Sequence, residues 1–191
     1  MTTSTRAAGT RQSLLAAARS VFAESGFAEA SIAEVVARAG ASVGSLYHHF
    51  GGKAELYIAL FEEYQTGQEA RAAASIREAR TVLGETDPMA LFVVGSRSYL
   101  NGCWEQRDLA RMFLAGGGPP GFESLSRKRY REWTRRNAAL LGTEGPWGEA
   151  LVLVLTTVIS EAGHEVAVCE DERAAQRLLN NVLGLVEKIG R

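Results

Sequence analysis

Apolar residues recur at spacings of three and four along almost the whole chain, whereas glycine and proline fall mainly between these periodic stretches. Such spacing places apolar side chains on one face of an α-helix. The sequence therefore predicts an all-α fold of about nine helices. The apolar run Leu151–Leu155 has no neighbouring segment that could pair with it as a strand, so we interpret it as part of a helix buried on most sides.

Three short helices are predicted near the N-terminus, from apolar stripes at residues 14–22, 32–39 and 43–50. The first ends at Ser25-Gly26, and the second ends at Gly40, because glycine readily adopts the left-handed conformation that closes a helix. Close spacing of the second and third stripes leaves room only for a tight turn. This arrangement is typical of a helix-turn-helix.

Two serines are predicted to begin the helices on either side of that turn. Ser31 followed by Glu34 has the spacing of a capping box, in which the side chain of each residue satisfies the backbone amide of the other. Ser42, two residues after Gly40, is a favourable N-cap for the third helix. The second and third helices are therefore expected to cross and pack against each other.

The rest of the chain is predicted to be helical as well. A long helix from Lys53 to about Arg80 precedes five further helices, at 88–104, 107–115, 122–141, 147–168 and 171–189. The Gly- and Pro-rich segment 116–121 is predicted to be a loop, since both residue types disrupt a helix interior. We expect two domains, residues 1–53 and residues 54–191.

The third helix presents an unusual outer surface. At 100° per residue, Leu46 and Phe50 share the face on which the helix packs. The opposite face and its flanks carry small, hydroxyl and aromatic residues: Gly44, Ser45, Tyr47, His48 and His49. Such side chains suit insertion into a DNA groove, where hydroxyl and aromatic groups reach bases and phosphates.

Charge changes this picture only slightly. The formal net charge is −1, so no bulk excess indicates a polyanionic partner. Residues 1–53 hold five Lys or Arg against three Asp or Glu, whereas residues 54–191 hold 16 against 19. Phosphate contacts are therefore expected to depend on few groups, namely Lys53, Arg6 and Arg11, together with hydroxyls and helix N-terminal amides.

Several classes of protein are excluded by the sequence. The longest uncharged apolar run, Ala150–Ser160, is shorter than the roughly 20 residues that span a membrane. A polar N-terminus lacks the apolar core of a secretory signal, which predicts a cytoplasmic protein. Cys103 and Cys169 lack the spacing of a disulfide framework or zinc site, and neighbouring His48 and His49 point about 100° apart. We predict no metal site, no cofactor and no catalytic residue.

The segment GASVGSLYHHF, residues 40–50, followed by Lys53, resembles the DNA-binding region of TetR-family transcriptional regulators. The specific resemblance covers about residues 11–60, and it implies that residues 1–53 form a DNA-binding domain and residues 54–191 an effector-binding and dimerisation domain. It implies a homodimer whose paired third helices enter successive major grooves of double-stranded operator DNA, and a C-terminal domain that releases the DNA on binding a small ligand. By position, it assigns Ser42, Val43, Gly44 and Ser45 to bases, and Tyr47, His48, His49 and Lys53 to phosphates.

The sequence departs from the family pattern at Val43, where many members have a polar or basic residue. Valine offers only methyl contact, for example to thymine, and no bidentate pairing with guanine. Base identity at this point of the operator is therefore left open.

The C-terminal half offers two further sets of candidates. Residues predicted to line a ligand cavity are Phe92, Arg97, Tyr99, Trp104, Met112, Phe113, Tyr130 and Trp133, with Trp147 nearby in sequence; the alternative is that they are core. Residues predicted at a dimer interface are Leu151, Leu155, Val158, Ile159, Leu178, Val182, Leu185, Val186 and Ile189; the alternative is an intramolecular core. The basic segment Arg127–Arg136 is interpreted as a solvated face, with an anion-binding surface as the alternative.

Taken together, these patterns predict a cytoplasmic, homodimeric transcriptional regulator, usually a repressor in the family it resembles, that responds to a small molecule. The alternative is a small helical enzyme, or a protein-interaction module whose helix-turn-helix is purely structural. The sequence contains no nucleophile motif and no phosphate loop, which argues against catalysis.

Overall fold

The computed structural model describes residues 2–114, 116–142 and 148–190. Within these ranges the chain forms α1 (Thr2–Glu29), α2 (Ile32–Ala39), α3 (Val43–Phe50), α4 (Lys53–Thr81), α5 (Pro88–Glu105), α6 (Arg107–Leu114), α7 (Phe122–Leu141), α8 (Gly148–Val168) and α9 (Glu172–Ile189). The predicted all-α class and the number of helices are confirmed, and so is the helical interpretation of residues 151–155. Ala115 and Trp147, which the sequence places at helix ends, lie outside the described residues.

The first helix breaks where its sequence predicts. Gly26 has φ 71° and ψ 173°, values outside the helical region, so regular helix ends there before a last short turn to Glu29. Glycine tolerates this positive φ because it has no β-carbon. The break redirects the chain toward α2.

The capping box predicted at the start of α2 is not formed. Ser31 occupies the N-cap with extended backbone, yet its side chain makes no capping hydrogen bond. Glu34 instead accepts a hydrogen bond of 2.6 Å from the guanidinium of Arg38 one turn later. The ion pair draws the carboxylate away from the helix N-terminus, and this competition between partners is the reason that the prediction is wrong.

The described residues divide into two compact units. One comprises Met1–Gln65 and Met112–Glu123, and the other comprises Thr66–Arg111 and Ser124–Arg191. The predicted boundary after residue 53 concerns function and remains a prediction.

Aromatic side chains fill much of the first unit. The ring of Tyr57 meets those of Phe22 and Phe122 edge-on, with centroids 5.2 Å away in each case. Phe61 and Phe113 extend the same cluster, 5.2 Å apart. Edge-to-face packing of this kind adds to the stabilisation that burial of the rings supplies. The cluster thereby joins α1, α4 and the segment 112–123 in one core.

The core of the second unit lies between α5, α8 and α9. Fully buried apolar side chains of α8 and α9 meet those of α5 there, among them Leu100, Leu155, Ile159, Leu179 and Val186. Gly163 of α8 faces Tyr99 and Cys103 of α5 so closely that a β-carbon would lie 2.9 Å from the tyrosine ring. The small residue therefore permits the close approach of these two helices.

Helix α8 alone, among the described residues, is long and apolar enough by length and composition to cross a membrane. Its most apolar window has a mean hydropathy of 1.5, and 44% of that window is buried inside the protein. The longest uncharged run within it, Ala150–Ser160, is shorter than a membrane span, as the sequence predicts, because Glu149 and Glu161 border it. The buried side chains of α8, among them Leu155 and Ile159, pack in the core of the second unit.

Candidate nucleic-acid interface

The turn between α2 and α3 has the geometry that its sequence predicts. Gly40 adopts the left-handed conformation, with φ 59° and ψ 33°, and its backbone N–H is directed at the carbonyls of Val36 and Ala37. Ser42 then begins α3, where its hydroxyl oxygen accepts a hydrogen bond of 3.1 Å from the amide of Ser45. The helix-turn-helix is therefore closed by local contacts on both sides of the turn.

Helix α3 turns one face inward and leaves the other exposed. Leu46 has no exposed surface and anchors the helix, whereas Tyr47 is 51% exposed and Val43 is 47% exposed. Ser42, Gly44 and His48 are exposed as well, and Ser45 and His49 are half-buried. A single surface thus presents a methyl-bearing side chain, hydroxyls, imidazoles and a phenol, which are groups that contact base edges and phosphates.

Lys53 has a structural role that sequence reasoning missed. Its ammonium donates hydrogen bonds of 2.8 Å to the carbonyls of Ala28 and Ala30, and it lies 4.9 Å from the ring centroid of Phe27. These contacts tie the start of α4 to the end of α1. Because an ammonium has three donors, one N–H remains for the phosphate contact that the sequence predicts.

Arg11 extends the candidate interface from α1. Its guanidinium lies 5.1 Å from the ring centroid of Phe50, at the end of α3, and the side chain is exposed. Arg11 therefore places a cation of α1 beside the C-terminal end of α3. The side chain of Arg6, the other candidate in α1, lies outside the described residues.

An exposed ion network joins α1 to α2. Arg38 donates to both carboxylate oxygens of Glu24, at 2.6 and 2.7 Å, in addition to Glu34. The hydrogen bonds that Arg38 donates to Glu24 and then to Glu34 raise the pKa of Arg38, and the hydrogen bond from Arg38 lowers the pKa of Glu24. Arg38 and Glu24 are therefore charged at neutral pH, and their bidentate pairing links α1 to α2 in a defined orientation of the two side chains.

The predicted ligand residues do not form one group. Met112 and Phe113 belong to the first unit, where Phe113 packs in the aromatic cluster. In the second unit, the ring of Trp133 lies 5.0 Å from that of Tyr99 and 6.4 Å from that of Tyr130. The hydroxyl of Tyr130 is 2.7 Å from that of Thr157 on α8. These three aromatic residues, Tyr99, Tyr130 and Trp133, form the part of the predicted set that the structure brings together.

The remaining ligand candidates lie apart from these three rings. Phe92 is buried in the core of the second unit, and Trp104 lies beneath the guanidinium of Arg107, 4.2 Å from it. Arg97 is exposed and donates a hydrogen bond of 2.7 Å to Asn180 on α9. Within the described residues, no group of three or more His, Cys, Asp or Glu side chains is arranged to hold a metal ion.

The predicted dimer residues fall into two groups. Leu155, Ile159 and Val186 are fully buried inside the chain itself, so they offer no surface to a partner. Leu185 and Ile189 are 57% and 50% exposed, and the half-buried members are Leu151, Val158, Leu178 and Val182. Helices α8 and α9 therefore have both an internal and an external apolar face, which helical periodicity alone does not separate.

Comparison with known proteins agrees with this geometry. Residues 14–60, from α1 to the first part of α4, match a family model described as bacterial regulatory proteins of the tetR family. The HTH-type transcriptional repressor AcnR of Corynebacterium efficiens is 38% identical over 68 residues, which cover 36% of this chain and 34% of AcnR. The chain thus aligns with about a third of the length of that curated relative.

Solved structures resemble the chain over nearly its whole length. A TetR-family transcriptional regulator from Pectobacterium atrosepticum is 26% identical, with a TM-score of 0.67 and coverage of 97% of this chain and 94% of that one. A complex of SmeT with triclosan is 21% identical, with a TM-score of 0.74 and coverage of 94% and 90%. Both comparisons place an N-terminal helix-turn-helix and a helical C-terminal region in one shared fold.

Proposed function

Because this chain belongs to the TetR family of bacterial regulatory proteins, we propose that it is a cytoplasmic, homodimeric transcriptional repressor that binds operator DNA through α3. The observation that carries the proposal is the exposed face of α3, held outward by the fully buried Leu46. The similarity over 68 residues to AcnR, a transcriptional repressor, supports repression rather than activation. Family members are DNA-binding regulators, which disfavours the enzymatic alternative.

The proposed roles of the α3 residues follow from their positions. Ser42, Val43, Gly44 and Ser45 lie on the first turn, and the N-terminal residues of a recognition helix contact base edges. Tyr47, His48, His49 and Lys53 lie further along and on the flanks, where they would contact phosphates. Val43 supplies only apolar contact, so we expect a thymine methyl opposite it.

A small-molecule effector is the second part of the proposal. SmeT, a structural relative, is seen in complex with triclosan. In this chain we propose that residues 54–191 bind an effector of unknown identity near Tyr99, Tyr130 and Trp133. Two recognition helices in a dimer must lie about 34 to 36 Å apart to enter successive major grooves. An effector that favours another separation would weaken DNA binding through a shift of population.

Titration of labelled DNA tests the assignment of α3. The probe is the promoter region beside the chain's own coding sequence, compared with random DNA of equal length at two salt concentrations. We expect Tyr47→Ala to weaken binding to both DNAs, because a phosphate contact carries no sequence information. Val43→Lys is expected to change which operator variants are preferred, because it alters a base contact.

Glu63→Gln provides the matched control, since this exposed residue of α4 lies outside the proposed interface. Unchanged affinity of Tyr47→Ala would refute the phosphate assignment. Absence of any preference for the promoter over random DNA would refute the proposed function.

A further inference from the structure

An open cavity of about 460 Å³ lies on the second unit, in the groove between α4 and α5. Its lining residues are Arg71 and Ser75 of α4 and Val94, Arg97, Ser98, Asn101 and Glu105 of α5. At 100° per residue, the five α5 residues share one side of that helix, within about 100° of arc. Tyr99 and Phe92 lie on the opposite side, so the cavity is distinct from the aromatic group described above.

The two arginines of this α4–α5 groove are held in place by partners within the same unit. Arg71 forms an ion pair of 2.5 Å with Glu105. Arg97 donates to Asn180 of α9, and Gln176 of α9 donates a hydrogen bond of 2.9 Å to Asn101. A guanidinium has five N–H donors, so each arginine retains donors beyond those contacts. Partners on α5 and α9 thus preorganise the polar wall of the groove.

Side chains of α4 pack directly against the backbone of α5 at two glycines beside the groove. A β-carbon at Gly95 would lie only 2.8 Å from Ile76, and one at Gly102 would overlap the side-chain amide of Gln68. Glycine at these two positions therefore admits the side chains of Ile76 and Gln68 against the backbone of α5. A site whose side chains are fixed in advance loses less entropy when a ligand binds.

We propose that the α4–α5 groove binds a small hydroxylated monocarboxylate. Two guanidiniums and one carboxylate leave the lining with a single excess positive charge, which one carboxylate of a ligand would neutralise. The fork of an arginine matches the planar geometry of a carboxylate. Ser75, Ser98 and the amide of Asn101 supply hydrogen-bonding partners for ligand hydroxyls, whereas Val94 is the one apolar side chain of the lining.

Ligand binding in the α4–α5 groove does not depend on operator binding. It concerns side chains of the second unit alone, and its test uses the full chain without DNA. If the chain did not bind DNA, the acids could still bind in the groove. If the acids did not bind, the proposed role of α3 in DNA binding would be unaffected. The two proposals therefore fail separately.

Isothermal titration calorimetry with D-gluconate and D-glycerate tests the proposal, and D-sorbitol is the neutral counterpart of gluconate. We expect saturable binding of at least one of the two acids at one site per chain, and at least roughly tenfold weaker binding of sorbitol, because it lacks the carboxylate. Arg97→Gln is expected to weaken binding of the acid about tenfold. Arg77→Gln, an exposed arginine of α4 outside the groove, should have no effect.

A second variant, which removes a negative charge rather than a positive one, distinguishes a direct effect on binding from a general disturbance of the structure. Glu105→Gln removes the carboxylate that forms an ion pair with Arg71. The acid should therefore bind more tightly to this variant than to the unmodified chain. Inorganic phosphate serves as a test for unspecific attraction of anions. The proposal is overturned if neither acid binds at millimolar concentration, if sorbitol or phosphate binds equally well, or if Arg97→Gln and Glu105→Gln shift affinity in the same direction.

Discussion

At the scale of a single residue, Tyr57 links α1, α4 and the segment 112–123 of the first unit. It is buried, and its ring contacts those of Phe22, Phe27, Phe113 and Phe122 at centroid distances of 5.2 to 5.4 Å. Its hydroxyl reaches only the carbonyl of Met112, at 3.4 Å, which is long for a hydrogen bond. Burial raises the pKa of Tyr57 from 10.0 to about 12. Its contribution to stability therefore comes mainly from the ring.

Removal of the hydroxyl and removal of the ring should have different consequences. We expect Tyr57→Phe to lower the free energy of unfolding at neutral pH by less than about 1 kcal/mol, because the hydrogen bond is weak. Tyr57→Ala should lower it by about 3 to 5 kcal/mol, because it leaves a cavity. Urea denaturation measures both values.

The raised pKa of Tyr57 adds a dependence on pH to the same prediction. The fold favours the neutral phenol, so this contribution to stability is complete below pH 10.0 and is lost as pH rises toward about 12. Between about pH 8 and about pH 11, the free energy of unfolding should fall less for Tyr57→Phe than for the unmodified chain. Equal losses would contradict the assignment of the shift to Tyr57.

Residue positions that depend on helix geometry alone were predictable from the sequence. The burial of Leu46 and the exposure of Tyr47 follow from a rotation of 100° per residue. The contacts of Lys53 and Glu34 were not predictable in this way. Lys53 binds backbone carbonyls that are remote in sequence, and Glu34 is bound by the guanidinium of Arg38 instead of capping its helix. Long charged side chains reach several partners, and sequence spacing does not determine which one they bind.

At the scale of elements, the helix-turn-helix depends on the left-handed Gly40. Its φ of 59° is unfavourable for a residue with a β-carbon, even though open space surrounds the position. Gly67, inside α4, also has open space around it but has no positive φ. The same substitution at the two sites therefore isolates the backbone conformation from packing.

We predict opposite signs for alanine at these two glycines. Gly40→Ala should lower the free energy of unfolding by about 1 kcal/mol, because alanine is strained in the left-handed region. Gly67→Ala should raise it by up to about 1 kcal/mol, because alanine favours a helix interior. Thermal and urea unfolding of both variants provide the comparison. A stabilising effect of Gly40→Ala would be incompatible with the turn described above.

Helix boundaries were predictable because glycine, proline and capping residues act locally. Pro88 begins α5 as expected, and Asp171 caps α9 because its carboxylate accepts a hydrogen bond of 2.7 Å from the amide of Ala174. The two apolar faces of α8 and α9 were not distinguishable in the same way. Which face packs inside the chain depends on the position of α5, and that position is a tertiary property.

At the scale of the whole molecule, the external apolar face of α8 and α9 bears on the number of subunits. Leu153, Val154, Leu185 and Ile189 are exposed large apolar side chains in the described part of these helices. Apolar residues grouped on one surface indicate contact with another protein more often than isolated ones do. In a homodimer this face would meet its own copy around a twofold axis.

Leu185→Glu should therefore separate the subunits, because it would bring two carboxylates into the apolar interface of the proposed dimer. Sedimentation equilibrium is expected to change from twice the chain mass of 20.6 kDa to the chain mass itself. Operator affinity should fall at least roughly tenfold, since two linked recognition helices bind far more tightly than separate ones. Val82→Glu, at a residue that is 72% exposed near the end of α4, is the matched control and should remain dimeric with unchanged affinity. If Leu185→Glu stays dimeric, or if Val82→Glu dissociates to the same extent, the interface lies elsewhere and the external face of α8 and α9 needs another explanation.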